Sequence, residues 1–103
     1  MIDLVKEHLE EIQTICKKYK VEGLHIFGSA INEKFDSDNS DLDFAVLFSD
    51  KIPVIDMADH YFGLIESLEN LLKHPIDLTT LKSVKNPVFK KELEETMIKL
   101  YAA

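Results

Sequence analysis

The sequence predicts an α/β (α+β) fold, a small mixed sheet packed with helices. Three observations carry this. Residues 3–19 and 53–73 repeat apolar side chains at steps of three and four, the helical period. Residues 21–27, 41–48 and 76–81 are short and apolar or alternating, as strands are. The interval between the first two strands has no helix long enough for a parallel crossover, so those strands should be antiparallel and the sheet mixed. A chain of 103 residues is expected to form one domain, residues 1–103.

In the first helix Val5, Leu9, Ile12, Cys16 and Tyr19 form the apolar stripe, Asp3 is the N-cap, and Lys6, Glu7, Glu10, Glu11 and Lys17 face outward. Cys16 on that stripe reads as a small core residue, not a reactive thiol. Gly23 marks the break into the first strand, where His25 alternates away from Ile26 as a packed or hydrogen-bonded residue. Residues 28–31 read as a short helical turn and 33–40 as a loop, with Asp36, Asp38 and Ser40 as turn and cap residues and Phe35 pinning it down. In the strand at 41–48, Leu42, Phe44, Val46 and Phe48 point into a core while Asp41 and Asp43 share the other face.

Pro53 suits the first turn of a helix running to about Lys73, with Val54, Ala58, Tyr61, Ile65, Leu68 and Leu72 as its stripe. Gly63 inside it costs about 1 kcal/mol relative to Ala, which a close helix–sheet contact would explain. Pro75 ends that helix. In the third strand Ile76, Leu78 and Thr80 share one face and Asp77 lies on the other. Asn86-Pro87 opens a last helix with Val88, Phe89, Leu93 and Met97 on its buried side, and the tail from Ile98 to Tyr101 either continues it or forms a short edge strand.

The charge balance excludes several classes. Nineteen acidic against 12 basic residues, a net charge of −7, argue against a general nucleic-acid-binding surface. Nucleotides stay open, because a metal can supply positive charge locally. One cysteine allows no intrachain disulfide and no cysteine-based zinc site, and His8, His60 and His74 share no metal-ligand spacing. The acidic loop from Asp36 fails as an EF-hand, since Asp41 and Leu47 stand where Gly and Glu are needed. No apolar run approaches the ~20 residues of a membrane span, and the N-terminus lacks a signal peptide's apolar core. A cytoplasmic protein is expected.

Two carboxylates side by side at the lip of a strand repel by about 4 kcal/mol at ~4 Å and an effective dielectric near ~20. A cation offsets that cost, and hard oxygen ligands suit Mg²⁺. If the third strand neighbours the second, Asp41, Asp43 and Asp77 converge, able to hold one or two Mg²⁺ ions while the third acid orients or deprotonates a hydroxyl. Gly28-Ser29 at the end of the first strand is the complementary half, a close backbone approach with N–H groups and a hydroxyl for phosphate oxygens.

On these residues the chain resembles the minimal nucleotidyltransferase (MNT) family of the DNA polymerase β-like superfamily. The signature is an apolar strand ending in Gly-Ser, a spacer of about ten residues, Asp-hydrophobic-Asp heading the next strand, and a later strand with a third acid. Here these are IFGS at 26–29, SDLDFAVLF at 40–48 and PIDLTTL at 75–81, and the likeness covers essentially the whole chain. The resemblance implies a nucleotidyltransferase palm fold. It implies that Asp41 and Asp43 bind Mg²⁺, that Asp77 completes the metal site or acts as general base, and that Gly28 and Ser29 hold the triphosphate. The implied reaction moves a nucleoside monophosphate, AMP from ATP, onto a hydroxyl. Small members pair with a helical HEPN protein encoded nearby and resemble antitoxins that adenylylate a tyrosine on that toxin. Two departures stand out. Many members carry Arg-Gly where Asn32 and Glu33 stand here, leaving the phosphate-facing cation to Lys34, to Lys82 or to the partner. The chain also has no second lobe to close over the base. The alternative is a catalytically weak or inactive nucleotidyltransferase-fold module that neutralises a HEPN partner by binding.

Overall fold

The computed structural model describes residues 1–31, 36 and 40–103. Its elements run α1 (Asp3–Glu7), α2 (Leu9–Lys18), β1 (Val21–Phe27), β2 (Leu42–Phe48), α3 (Met57–Leu72), β3 (Ile76–Thr80), α4 (Pro87–Thr96) and β4 (Ile98–Ala102). The four strands form one sheet in the order β3-β2-β1-β4. β1 pairs antiparallel with both β2 and β4, and β2 pairs parallel with β3 across the α3 connection. The sheet is mixed, as the short β1–β2 interval requires.

Alternation along each strand sorts the two faces. Leu24 and Ile26 of β1, Leu42, Phe44, Val46 and Phe48 of β2 and Leu78 of β3 are buried against Ile12 and Cys16 of α2 and Leu64, Leu68 and Leu72 of α3. Burial pushes the Cys16 thiol up to about 12, so it is an inert core group. The opposite face carries Phe27, Asp43 and Asp77. There α4 reaches the end of β1, where the Phe89 ring meets the Phe27 ring edge-on at 6.4 Å between centroids.

Four local expectations need correction. The first helix is interrupted at His8 (φ −112°, ψ 17°), whose N–H donates to the Val5 carbonyl in a tight turn, giving two helices instead of one over 3–19. The second long helix begins at Met57, because Val54–Asp56 form a 3₁₀ turn. Three residues per turn put Val54 out of phase with the stripe, and it is 92% exposed. Ala58 is also exposed, and the buried line is Leu64, Leu68 and Leu72, flanked by half-buried Tyr61 and Ile65. Gly63 faces another helix, not the sheet: a Cβ there would stand 2.9 Å from Cζ of Tyr19, just past the end of α2. In α4 only Leu93 is buried, while Val88 is 74% exposed and Phe89 39%, because this helix covers only the end of β1. Asn86 caps α4, accepting from the N–H groups of Val88 and Phe89, and Pro87 takes the first helical position. The tail is the edge strand β4.

The expectations for Asn32, Glu33, Lys34, Phe35 and Asp38 lie outside the described residues. Asp36 and Ser40 are hydrogen-bonded to each other, the Ser40 N–H donating to the Asp36 carbonyl at 2.7 Å and the Asp36 N–H to the Ser40 hydroxyl. No helix among the described residues is long and apolar enough to cross a membrane.

Candidate active site

The sheet register builds the site. Antiparallel pairing sets Phe27 opposite Asp43, and parallel pairing sets Asp43 opposite Asp77. Paired residues share a face, so the side chains of three adjacent strands meet in one row. Gly28 follows Phe27 directly and turns away with φ +72°, a left-handed conformation that glycine adopts without steric cost. It leaves room for the Asp43 side chain. A Cβ at position 28 would run into Oδ2 of Asp43 and lie 3.3 Å from its Cγ. Ser29 follows, half-exposed, in the single 3₁₀ turn Gly28–Ile31. A turn that short offers backbone N–H groups but little of a helix dipole.

Burial holds the Asp43 carboxyl above the usual range. The charges of Asp77 and then Asp41 raise it further, as does a hydrogen bond with the Asp77 side chain. Carboxyl groups hydrogen-bond to one another only by sharing a proton. Asp43 and Asp77 thus form a pair whose repulsion a divalent cation would relieve equally well. The donor set fits such an ion, being all carboxylate oxygen. Asp41 is exposed and acts on Asp43 through its charge. Among the described residues no three His, Cys, Asp or Glu side chains come close enough to form a metal cage, so the structure assembles Asp43 with Asp77 and leaves Asp41 at the rim.

Lys82 does not belong to this site. Asp77 opens β3 and Lys82 lies beyond its far end, about 16 Å along the strand direction at ~3.3 Å per residue. There it lines a cavity with Phe48, Ile52 and Met57. Phe27, in contrast, is a neighbour of the acids that sequence reasoning missed. The signal was the antiparallel pairing itself, which sets the residue before Gly28 against Asp43.

The row of Gly28, Asp43 and Asp77 is joined by a direct match. Residues 10–103 fit the family model described as "Polymerase beta, Nucleotidyltransferase". The chain belongs to the polymerase β nucleotidyltransferase family. Its relatives in this family include MJ1379 of Methanocaldococcus jannaschii, provisionally named a protein adenylyltransferase, at 38% identity over 91% of this chain and 92% of that protein. MJ0128 of the same organism, under the same name, is 36% identical over 94% and 95% of the two chains. Solved structures share the nucleotidyltransferase fold. One described as a minimal nucleotidyltransferase superposes with a TM-score of 0.72 at 23% identity, covering 94% of this chain and 95% of that one. A tri-AMPylated Shewanella oneidensis HEPN toxin in complex with its MNT antitoxin matches with a TM-score of 0.64 at 22% identity, over 95% and 72%.

Proposed function

We propose that this nucleotidyltransferase moves AMP from ATP onto a hydroxyl of a partner protein, a tyrosine of a HEPN toxin, and acts as its antitoxin in the cytoplasm. The observation that carries the reading is the in-register Asp43–Asp77 pair with Gly28 fitted against the Asp43 carboxylate. In this reading Asp43, Asp77 and Asp41 hold Mg²⁺, which would neutralise charge developing on the phosphates. Gly28 and Ser29 bind the triphosphate through backbone N–H groups and the serine hydroxyl. Asp77 takes the acceptor's proton. The acceptor oxygen bonds to the α-phosphorus, the bond from that phosphorus to its bridging oxygen breaks, and pyrophosphate leaves. Positioning supplies most of the acceleration in phosphoryl transfer, which suits a site built on three strands. The provisional names of the M. jannaschii relatives and the AMPylated HEPN toxin beside an MNT antitoxin support the same chemistry.

A second reading, neutralisation by binding alone, has one observation behind it: among the described residues no three His, Cys, Asp or Glu side chains stand close enough to hold a metal ion. Intact-mass measurement separates the two. Purified chain, Mg²⁺-ATP and the HEPN protein encoded nearby are incubated, and the partner's mass is followed. The transferase reading expects the partner to gain whole AMP units on tyrosine, and the gain to vanish with Asp41→Asn/Asp43→Asn. A double variant that still neutralises the partner, with no mass gain in either reaction, would leave the binding reading alone.

A further inference from the structure

Beside the row of acids lies a cavity of about 380 Å³ lined by Phe27, Gly28, Ile31, Phe89, Glu92 and Thr96. Its size is at the lower end of the ~300–1,000 Å³ usual for small-molecule sites. Gly28 lines the cavity and also abuts the Asp43 carboxylate, so the cavity adjoins the acid site. We propose that this slot receives the nucleobase of the bound nucleotide, with Phe27 and Phe89 as its aromatic walls and Glu92 and Thr96 reading the base edge. This inference rests on the nucleotidyl-transfer reading and names the base subsite of that same site.

Three features carry it. Phe27 and Phe89 meet edge-on, 69° between planes, so the two rings do not stack face to face, and both line the slot. Phe89 is 39% exposed and lines the slot, so part of its ring is free to meet a ligand there. The polar groups of the slot are selective. A carboxylate accepts hydrogen bonds and donates none. The Thr96 hydroxyl donates to the backbone carbonyl of Glu92 at 2.8 Å, so toward the slot it too offers only lone pairs. Two acceptors call for a base that donates. The exocyclic amine of adenine does so with two N–H groups, while hypoxanthine, the same purine with a carbonyl in that place, keeps a single donor, its ring N1–H, beside an acceptor that faces the carboxylate.

Calorimetric titration of the full chain in Mg²⁺ with ATP, ITP and inorganic tripolyphosphate tests this. The unsubstituted chain should bind ATP about tenfold more tightly than ITP, the size of one hydrogen bond to a charged group. Glu92→Gln, whose amide can also donate, should abolish that preference. Phe89→Ala should weaken ATP by roughly tenfold, as loss of one base-stacking ring does, and leave tripolyphosphate unchanged. Glu92 is exposed, so Glu92→Gln should melt like the parent; Phe89→Ala loses the ring contact with Phe27, and its unchanged tripolyphosphate affinity reports that the site is still folded. Unchanged ATP affinity in Phe89→Ala overturns the proposal. So does a loss of transfer rate at unchanged ATP affinity, which would assign the slot to the acceptor side chain. An unsubstituted chain that binds neither ATP nor tripolyphosphate overturns the transferase reading itself.

Discussion

Asp43 concentrates the opposition between stability and function at the scale of one residue. Its folded pKa lies above the unfolded value, so the group favours folding in its protonated form. That contribution is present below the ordinary carboxylate pKa and is lost as pH rises through the raised value, so at pH 7 an ionised Asp43 strains the fold. Asp43→Asn should therefore raise the melting temperature of the metal-free chain at pH 7 by roughly 2–4 °C, a modest gain because the half-exposed pair is screened by solvent. Mg²⁺ should narrow that difference by stabilising only the parent. Scanning calorimetry with and without Mg²⁺ checks both. His25 on β1 shifts the other way. Burial, and then the Lys99 charge across the β1–β4 pair, hold its pKa below the usual value, and its buried Nδ1 has no hydrogen-bond partner among the described residues. Stability from the neutral ring is full above the unfolded pKa of about 6.5 and declines as pH falls below it toward the folded pKa. His25→Leu should flatten the fall in melting temperature between pH 7.5 and 5.5, as thermal melts across that range would show.

At the scale of elements, the close packing of α2 on α3 turns on Gly63 and Tyr19. Helix propensity alone favours Ala at position 63 by about 1 kcal/mol. The Tyr19 ring occupies the space a Cβ needs, and it is held there by Ser67, whose hydroxyl donates to the Tyr19 oxygen at 3.2 Å, and by edge contact with His60. Overpacking should win, with Gly63→Ala destabilising by about 1–2 kcal/mol. In a Tyr19→Ala background the same change should be neutral or favourable. Urea denaturation of the four proteins in the cycle measures this coupling. These elements also show what could be read before the structure. Strands were legible because alternation is local: Leu42, Phe44, Val46 and Phe48 needed no neighbour to declare their face. The antiparallel β1–β2 pair followed from the interval length, and with it the meeting of Gly28 and Asp43. The break at His8 was not legible, since no Gly or Pro stands there, and at Val54 the preceding Pro53 marks a helical start without telling a 3₁₀ turn from an α-helix; apolar periodicity runs through both. The partner of Gly63 and the exposure of Val88 and Phe89 depend on which face each helix turns to its neighbours, information that no single segment contains.

For the molecule as a whole, the sheet presents its chemistry at one end and protects its edges elsewhere. On the β3 edge, the Ile76 N–H donates to the Glu69 carboxylate at 3.0 Å and the Tyr61 hydroxyl donates to the Leu78 carbonyl at 2.7 Å. On the β4 edge, the Gln13 amide donates to the Leu100 carbonyl. Side chains from the helices thus blunt both edges against stray strand pairing. With a net charge of −7, the chain repels a triphosphate, so the proposed reaction calls for a cation at the acid site. In the proposed reaction the row of Gly28, Asp43 and Asp77 performs metal-dependent transfer of the α-phosphorus with its nucleoside. Parallel reactions with α-labelled and γ-labelled ATP, each with the HEPN partner, test it most directly. The α label should move to the partner while the γ label leaves as pyrophosphate. EDTA or Asp43→Asn should abolish transfer, and Asp77→Asn should slow it by roughly 10²–10⁴-fold, the share of a general base. Transfer of the γ label, or α-label transfer that survives Asp43→Asn, would contradict it.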